Sequence, residues 1–146
     1  MGDVESRLAV QGIADSRRTQ APTKPVILLD TNAIIWLERG HARTRELVRR
    51  GDQLYVSPAS LLELQFLREL GRIRINAPLA DLVRDRGWLL DDPPAAAWFE
   101  RAEDIGWTHD PFDRLLVAHA RLRRWRLVTA DTRLLGRLSE RERIEI

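Results

Sequence analysis

The stretch VILLDTNAIIW, residues 26–36, places four apolar residues in a row, then the carboxylate of Asp30, then a run with helical character. Four consecutive apolar residues fit a strand buried on both faces, as in a parallel sheet. The helix starting at Thr31 must then cover one of those faces. Asp30 stands at the junction, where a carboxylate either caps the helix or belongs to a site. The rest of the chain repeats the unit. Strands are predicted at 26–30, 54–57, 87–90, 126–131 and 143–146, with Arg72–Ile75 as a further short strand or hairpin piece. Helices are predicted at 31–39, 42–50, 57–70, 78–86, 93–105, 110–124 and 131–138, several of them opened by Ser-Pro or Asp-Pro or followed by Gly. Alternating strands and helices imply an α/β fold of three layers, α/β/α, around a central, mostly parallel sheet.

At 146 residues the chain suits one domain, and 44% hydrophobic content is enough for a real core. Residues 1–25 are polar, without clear period, and end in APTKP. They read as a flexible extension before a folded domain at 26–146. There is no Cys, which excludes disulfides, thiolate nucleophiles and Cys-ligated zinc. No segment has the apolar core of a signal peptide or the length of a membrane span, so the expected location is cytoplasmic. The net charge is only +2, but Lys24 is the single Lys among 24 basic residues. Arg is the better bidentate partner for phosphate, which keeps nucleic acid among the candidate substrates.

In open α/β sheets ligands bind at the carboxyl ends of strands. Asp30 and Asp131 both follow strands. Glu63 lies within a helix, and at about 100° per residue it projects with Ala59, Phe66, Leu67 and Leu70, mid-stripe on an apolar face. Asp113 projects with Leu116, Val117 and Ala120, also inward. Each acid has a structural reading as well. Asp110 before Pro111 is a good N-cap, Asp113 suits the first turn of that helix, and Asp131 could cap the last short helix. Glu63 could pair with an Arg, and Asp30 could be a turn residue. Taken together they form a set of hard oxygen ligands without Cys or a His motif, which suits Mg²⁺ or Mn²⁺. Such clusters polarise a phosphodiester and generate hydroxide from bound water.

The segments LLDTNAIIW (28–36), SPASLLELQFLRELGRI (57–73), HDPFDRLLVAHA (109–120) and LVTAD (127–131), in that order, resemble the motifs of PIN-domain ribonucleases, most closely the toxins of VapBC-type toxin–antitoxin systems. The likeness covers residues 26–146. It implies that Asp30, Glu63, Asp113 and Asp131 are the catalytic, metal-binding acids. Asp110 matches an extra acid, and Thr31 and Thr129 match hydroxyl positions beside the site. It further implies an Mg²⁺- or Mn²⁺-dependent endoribonuclease leaving 5′-phosphate and 3′-hydroxyl ends. Its implied partners are RNA, a cognate antitoxin, a second copy in a homodimer, and DNA only through the antitoxin. An antitoxin groove is expected on the early helices, near Trp36 and Leu37. Two positions depart from the family pattern: the polar extension precedes the first strand, and Asn32 stands where the subgroup often has His.

His109 and His119 read as structural, and the five Trp as core or interface residues. Arg121, Arg123, Arg124 and Arg126 read as a solvated face, and Arg114 could reach a substrate phosphate. Rival functions are a PIN-like RNA-binding module without turnover and an acidic-pocket phosphatase. A receiver lacks its Lys, a haloacid-dehalogenase phosphatase would need Asp at Asn32, and no Walker A loop is present.

Overall fold

The computed structural model describes residues 24–146, so the predicted extension lies outside the described residues except for Lys24 and Pro25. Five strands form one all-parallel sheet: β1 (Val26–Leu29), β2 (Gln53–Val56), β3 (Leu89–Leu90), β4 (Arg126–Thr129) and β5 (Arg143–Glu145). Their order across the sheet is β3-β2-β1-β4-β5. The chain thus runs outward from β1 to one edge and returns to the other side of β1. The reversal leaves a crevice between the carboxyl ends of β1 and β4, the place where open α/β sheets bind ligands.

Among the described residues, seven helices accompany the strands: α1 (Thr31–Glu38), α2 (Arg45–Arg50), α3 (Pro58–Glu69), α4 (Leu79–Asp85), α5 (Ala95–Glu103), α6 (Pro111–Arg123) and α7 (Thr132–Leu135). A 3₁₀ turn at Ala42–Thr44 precedes α2, and Gly51 ends α2 in the left-handed region at φ 65°. In β1, Ile27 and Leu29 face one core with Ile34, Leu64, Leu82 and Trp88. Leu28 faces the other with Trp98, Ile105, Leu116 and Leu134. Burial on both faces explains why β1 is apolar throughout. It also establishes the predicted three layers, α1 to α4 contributing to one side and α5 to α7 to the other.

One expectation needs correction. Arg72–Ile75 is not a strand. The Arg68 guanidinium donates to the carbonyls of Ile75 (3.2 Å) and Ala77 (3.1 Å), engaging acceptors that a ladder would use, while Ile73 sinks into the core. Leu37 is largely buried yet lines a cavity of about 310 Å³ with Leu47, Val48 and Trp88, and Trp36 is stacked on His41 at 4.6 Å.

Candidate active site

Asp30 sits directly after β1 and is 6% exposed. Its Oδ1 accepts from the Asn32 amide at 2.8 Å, so it does cap α1. Its Oδ2 accepts from the Thr129 hydroxyl at 2.5 Å, from a residue 99 positions away at the end of β4. The Thr129 oxygen in turn accepts from the Asp131 amide at 3.0 Å. Cap and site are therefore combined in one carboxylate, and Thr129 links the ends of the two central strands. Asp131 caps α7 through the Arg133 amide at 2.8 Å. Asp110 caps α6 through the amides of Phe112 (2.9 Å) and Asp113 (3.2 Å).

Asp113 and Glu63 come in from α6 and α3, both half-buried. Burial, together with repulsion from Asp110, Asp131 and Asp30, pushes the Asp113 carboxyl up to about 6, with Arg133 opposing. Burial pushes Glu63 up to about 7; the Thr31 hydroxyl opposes, and Asp110, Asp30 and Asp113 add to the rise. Asp30 is also raised, by burial first; Thr129 and Asn32 oppose and Asp131 adds. Thr31 is fully buried, with Oγ1 3.2 Å from Ser60 Oγ. The acids thus feel one another across the crevice. The cation that pairs with them among the described residues is Arg133, 3.4 Å from Asp131 and 3.9 Å from Asp113.

Glu63 was expected mid-stripe on a buried apolar face, and this is corrected. The stripe is only half covered: Ala59 is buried and Leu67 packs against the core, whereas Phe66 and Leu70 are exposed. Helical projection identifies neighbours on a helix but not which apolar neighbours the fold covers. Glu63 also makes none of the ion pairs found among the described residues. Its Arg-paired reading has no support.

The donor set is all oxygen and carries an excess of negative charge, which suits a hard divalent cation. Among the described residues, however, no three acidic or imidazole groups close on one point at ligand spacing. The acids stand around the crevice within electrostatic reach of one another.

Arg114 does not turn toward the acids. Its Nε donates to the Thr108 carbonyl at 2.5 Å. His109 is exposed. The Arg run is also corrected: Arg121 pairs with Glu142 (3.0 Å), Arg123 with Asp91 (2.8 Å), and Arg126 donates to the Arg143 and Glu140 carbonyls. Arg124 and Arg126 are exposed and match the solvated reading, and Arg124 ends α6 with φ 58°.

Sequence reasoning missed a second polar cluster. His119 is fully buried, with Nδ1 2.8 Å from Ser57 Oγ and Nε2 2.7 Å from Asp91 Oδ2. Burial lowers the His119 pKa, with Asp91 opposing, so the ring is neutral. Its Nε2–H donates to Asp91, and Nδ1 accepts from Ser57. The grouping has the residue types of a nucleophilic triad. Ser57 is nevertheless fully buried and caps α3 through the Ala59 amide, so its hydroxyl meets no substrate. A His three residues from Leu116 on the buried side of α6 was the only signal available.

A sequence model of the PIN domain matches residues 27–140. Ribonuclease VapC22 of Mycobacterium tuberculosis is 33% identical over 119 residues, covering 74% of this chain and 88% of that protein. Two solved structures share the fold, each at TM-score 0.59 and 17% identity. One is a toxin–antitoxin complex from Klebsiella pneumoniae, with 82% of this chain and 99% of that one covered. The other is VapBC2 from Rickettsia felis bound to a DNA fragment from its promoter, with 83% and 98% covered. A parallel sheet whose central crevice gathers the motif acids thus coincides with likeness along most of the chain, and the chain belongs to the PIN-domain family, with a VapC ribonuclease among its relatives.

Proposed function

We propose that this protein is an endoribonuclease toxin that hydrolyses RNA phosphodiester bonds with Mg²⁺ or Mn²⁺, restrained in the cytoplasm by an antitoxin. The observation that carries the reading is the meeting of Asp30, Asp131, Asp113 and Glu63 at one crevice, where burial and neighbouring acids raise the carboxyls of Asp30, Asp113 and Glu63. Mutual repulsion of this kind is relieved by a bound cation, and the oxygen-only donors match the hard metals. The residues that would hold the ion are Asp30, Asp113, Glu63 and Asp131, with Asp110 beside them. Bound there, a divalent cation supplies Lewis acidity and lowers the pKa of its water.

The chain's own groups have separate tasks. Thr129 fixes Asp30 through the 2.5 Å hydrogen bond and ties it to the Asp131 backbone. Thr31, fully buried, steadies the charged form of Glu63. Arg133, exposed at the rim, neutralises part of the ring and offers a guanidinium to phosphate. Residues 26–146 serve as the catalytic domain.

For the partners, one of the structures that share the fold is a toxin–antitoxin complex and another is VapBC2 bound to a promoter DNA fragment. Apolar side chains stand free on α3, at Leu62, Phe66 and Leu70, and an antitoxin or a second copy would cover them.

The test is cleavage of RNA by purified protein in Mg²⁺ or Mn²⁺, with EDTA and Asp30→Asn as controls. Metal-dependent cleavage abolished by Asp30→Asn is expected. RNA that is bound but never cut in either metal would replace the nuclease with a binding module.

A further inference from the structure

A cavity of about 300 Å³ opens beside the acid ring, lined by Trp107, Thr108, Asp113, Arg133, Leu134 and Arg137. It shares Asp113 and Arg133 with the ring, so one end faces the proposed chemistry. At the other end the Arg137 guanidinium lies over the Trp107 ring, 5.8 Å from its centroid. Trp107 packs against the core on the α5–α7 side, which holds the indole in place. Leu134 is buried and supplies an apolar wall. The Arg114 bond to the Thr108 carbonyl steadies the loop that carries Trp107 and Thr108.

We propose that this cavity is the subsite for a nucleotide flanking the scissile phosphate of single-stranded RNA, its base against Trp107 and Arg137 and its phosphate at Arg133. The assignment rests on the ribonuclease reading above. Three features favour it. A ring of five acids repels a polyanion, so cations must stand beside it, and Arg133 and Arg137 do so four residues apart. The Arg137 guanidinium, laid over the Trp107 indole, presents a cationic plane on which an unpaired base stacks. A base in a duplex is not free to reach such a surface, so the preference is for single strands.

The test uses the full chain and a short fluorescent single-stranded RNA, with binding followed by anisotropy in EDTA at low ionic strength. Arg137→Ala should weaken binding about tenfold, the scale of one base-stacking contact, and leave the slope of log affinity against log salt close to that of the wild type, because the phosphate lies at Arg133. Arg137→Lys should also keep the slope and regain only part of the affinity, because the charge returns without the plane. Arg49→Ala, on the exposed face of α2, should bind like the wild type. Circular dichroism confirms folding, and Arg137 is exposed, so its loss leaves the core intact. Wild-type affinity in Arg137→Ala, or no RNA binding by the wild type, would overturn the subsite. Wild-type protein that cuts RNA in Mg²⁺ while Arg137→Ala binds and cuts equally well removes the subsite and leaves the nuclease. Binding that depends on Arg137 without cleavage in either metal removes the nuclease and leaves the subsite.

Discussion

The carboxyl edge of the sheet is divided into two unlike halves. At the ends of β1 and β4, Asp30 and Asp131 face Asp113 and Glu63 with little positive charge between them, and Asp30, Asp113 and Glu63 are raised. At the ends of β2 and β3, Ser57 and Asp91 meet His119 and Arg123 in a closed set of hydrogen bonds. Burial would raise Asp91, but the bonds from Arg123 and His119 more than offset it and hold its carboxyl below the ordinary range. Both halves join α3 to α6. One leaves its negative charge largely uncompensated, with Arg133 as its pairing cation among the described residues, and so remains available to a cationic ligand; the other balances its charges and serves as a tie. Proximity of charged residues at a strand end therefore does not define a site. Whether their partners are already present does.

The sharpest division between the halves should appear in activity. Asp30→Asn keeps an N-cap oxygen, so the fold should survive, while RNA cleavage falls by about 100- to 1,000-fold, the scale of losing one group that stabilises a transition state. Gel assays beside circular dichroism measure both, and an active Asp30→Asn protein would dissolve the distinction. His119→Ala should do the reverse. It leaves Asp91 and Ser57 short of partners and opens a hole against Trp98 and Trp125, which lie 5.3 and 5.9 Å from the ring. Urea unfolding should show a loss of about 2–4 kcal/mol, with cleavage per folded molecule largely retained. A smaller effect is expected for Glu63→Gln in EDTA, where stability should stay level or rise by about 1 kcal/mol as a repelled, half-buried charge is removed. A clear loss would show that Glu63 has a partner.

The subtlest difference lies in the response to acid. Glu63 and Asp113 have raised carboxyls, so the folded chain keeps protons that the unfolded chain releases. Their stabilising effect is complete below the ordinary carboxyl values of 4.5 and 3.8 and is lost as pH rises through about 7 and about 6. His119 is lowered, so its contribution is present above its ordinary 6.5 and is lost as pH falls. The two halves oppose each other over the same window. In melts between about pH 7.5 and pH 5 without metal, Glu63→Gln should lose stability on acidification more steeply than the wild type, by on the order of 1 kcal/mol after solvent screening. Parallel curves for the two proteins would contradict the Glu63 assignment.

From the sequence alone came the element order, the apolar β1, the caps at Ser57, Asp110 and Asp131, and the placement of Asp30 and Asp131 at strand ends. These depend on local chemistry and on hydrophobic periodicity, which a linear chain displays directly. The inward face of Asp113 was legible too, because its helical neighbours Leu116, Val117 and Ala120 are in fact buried. The true setting of Glu63 was not, since α3 leaves Phe66 and Leu70 in solvent. Nor were the β1–β4 neighbourhood that brings Thr129 to Asp30, the tie of His119 to Ser57 and Asp91, or the cavity beside Arg137. Each depends on which distant elements pack together and which faces they cover, and only the closed three-layer fold decides that.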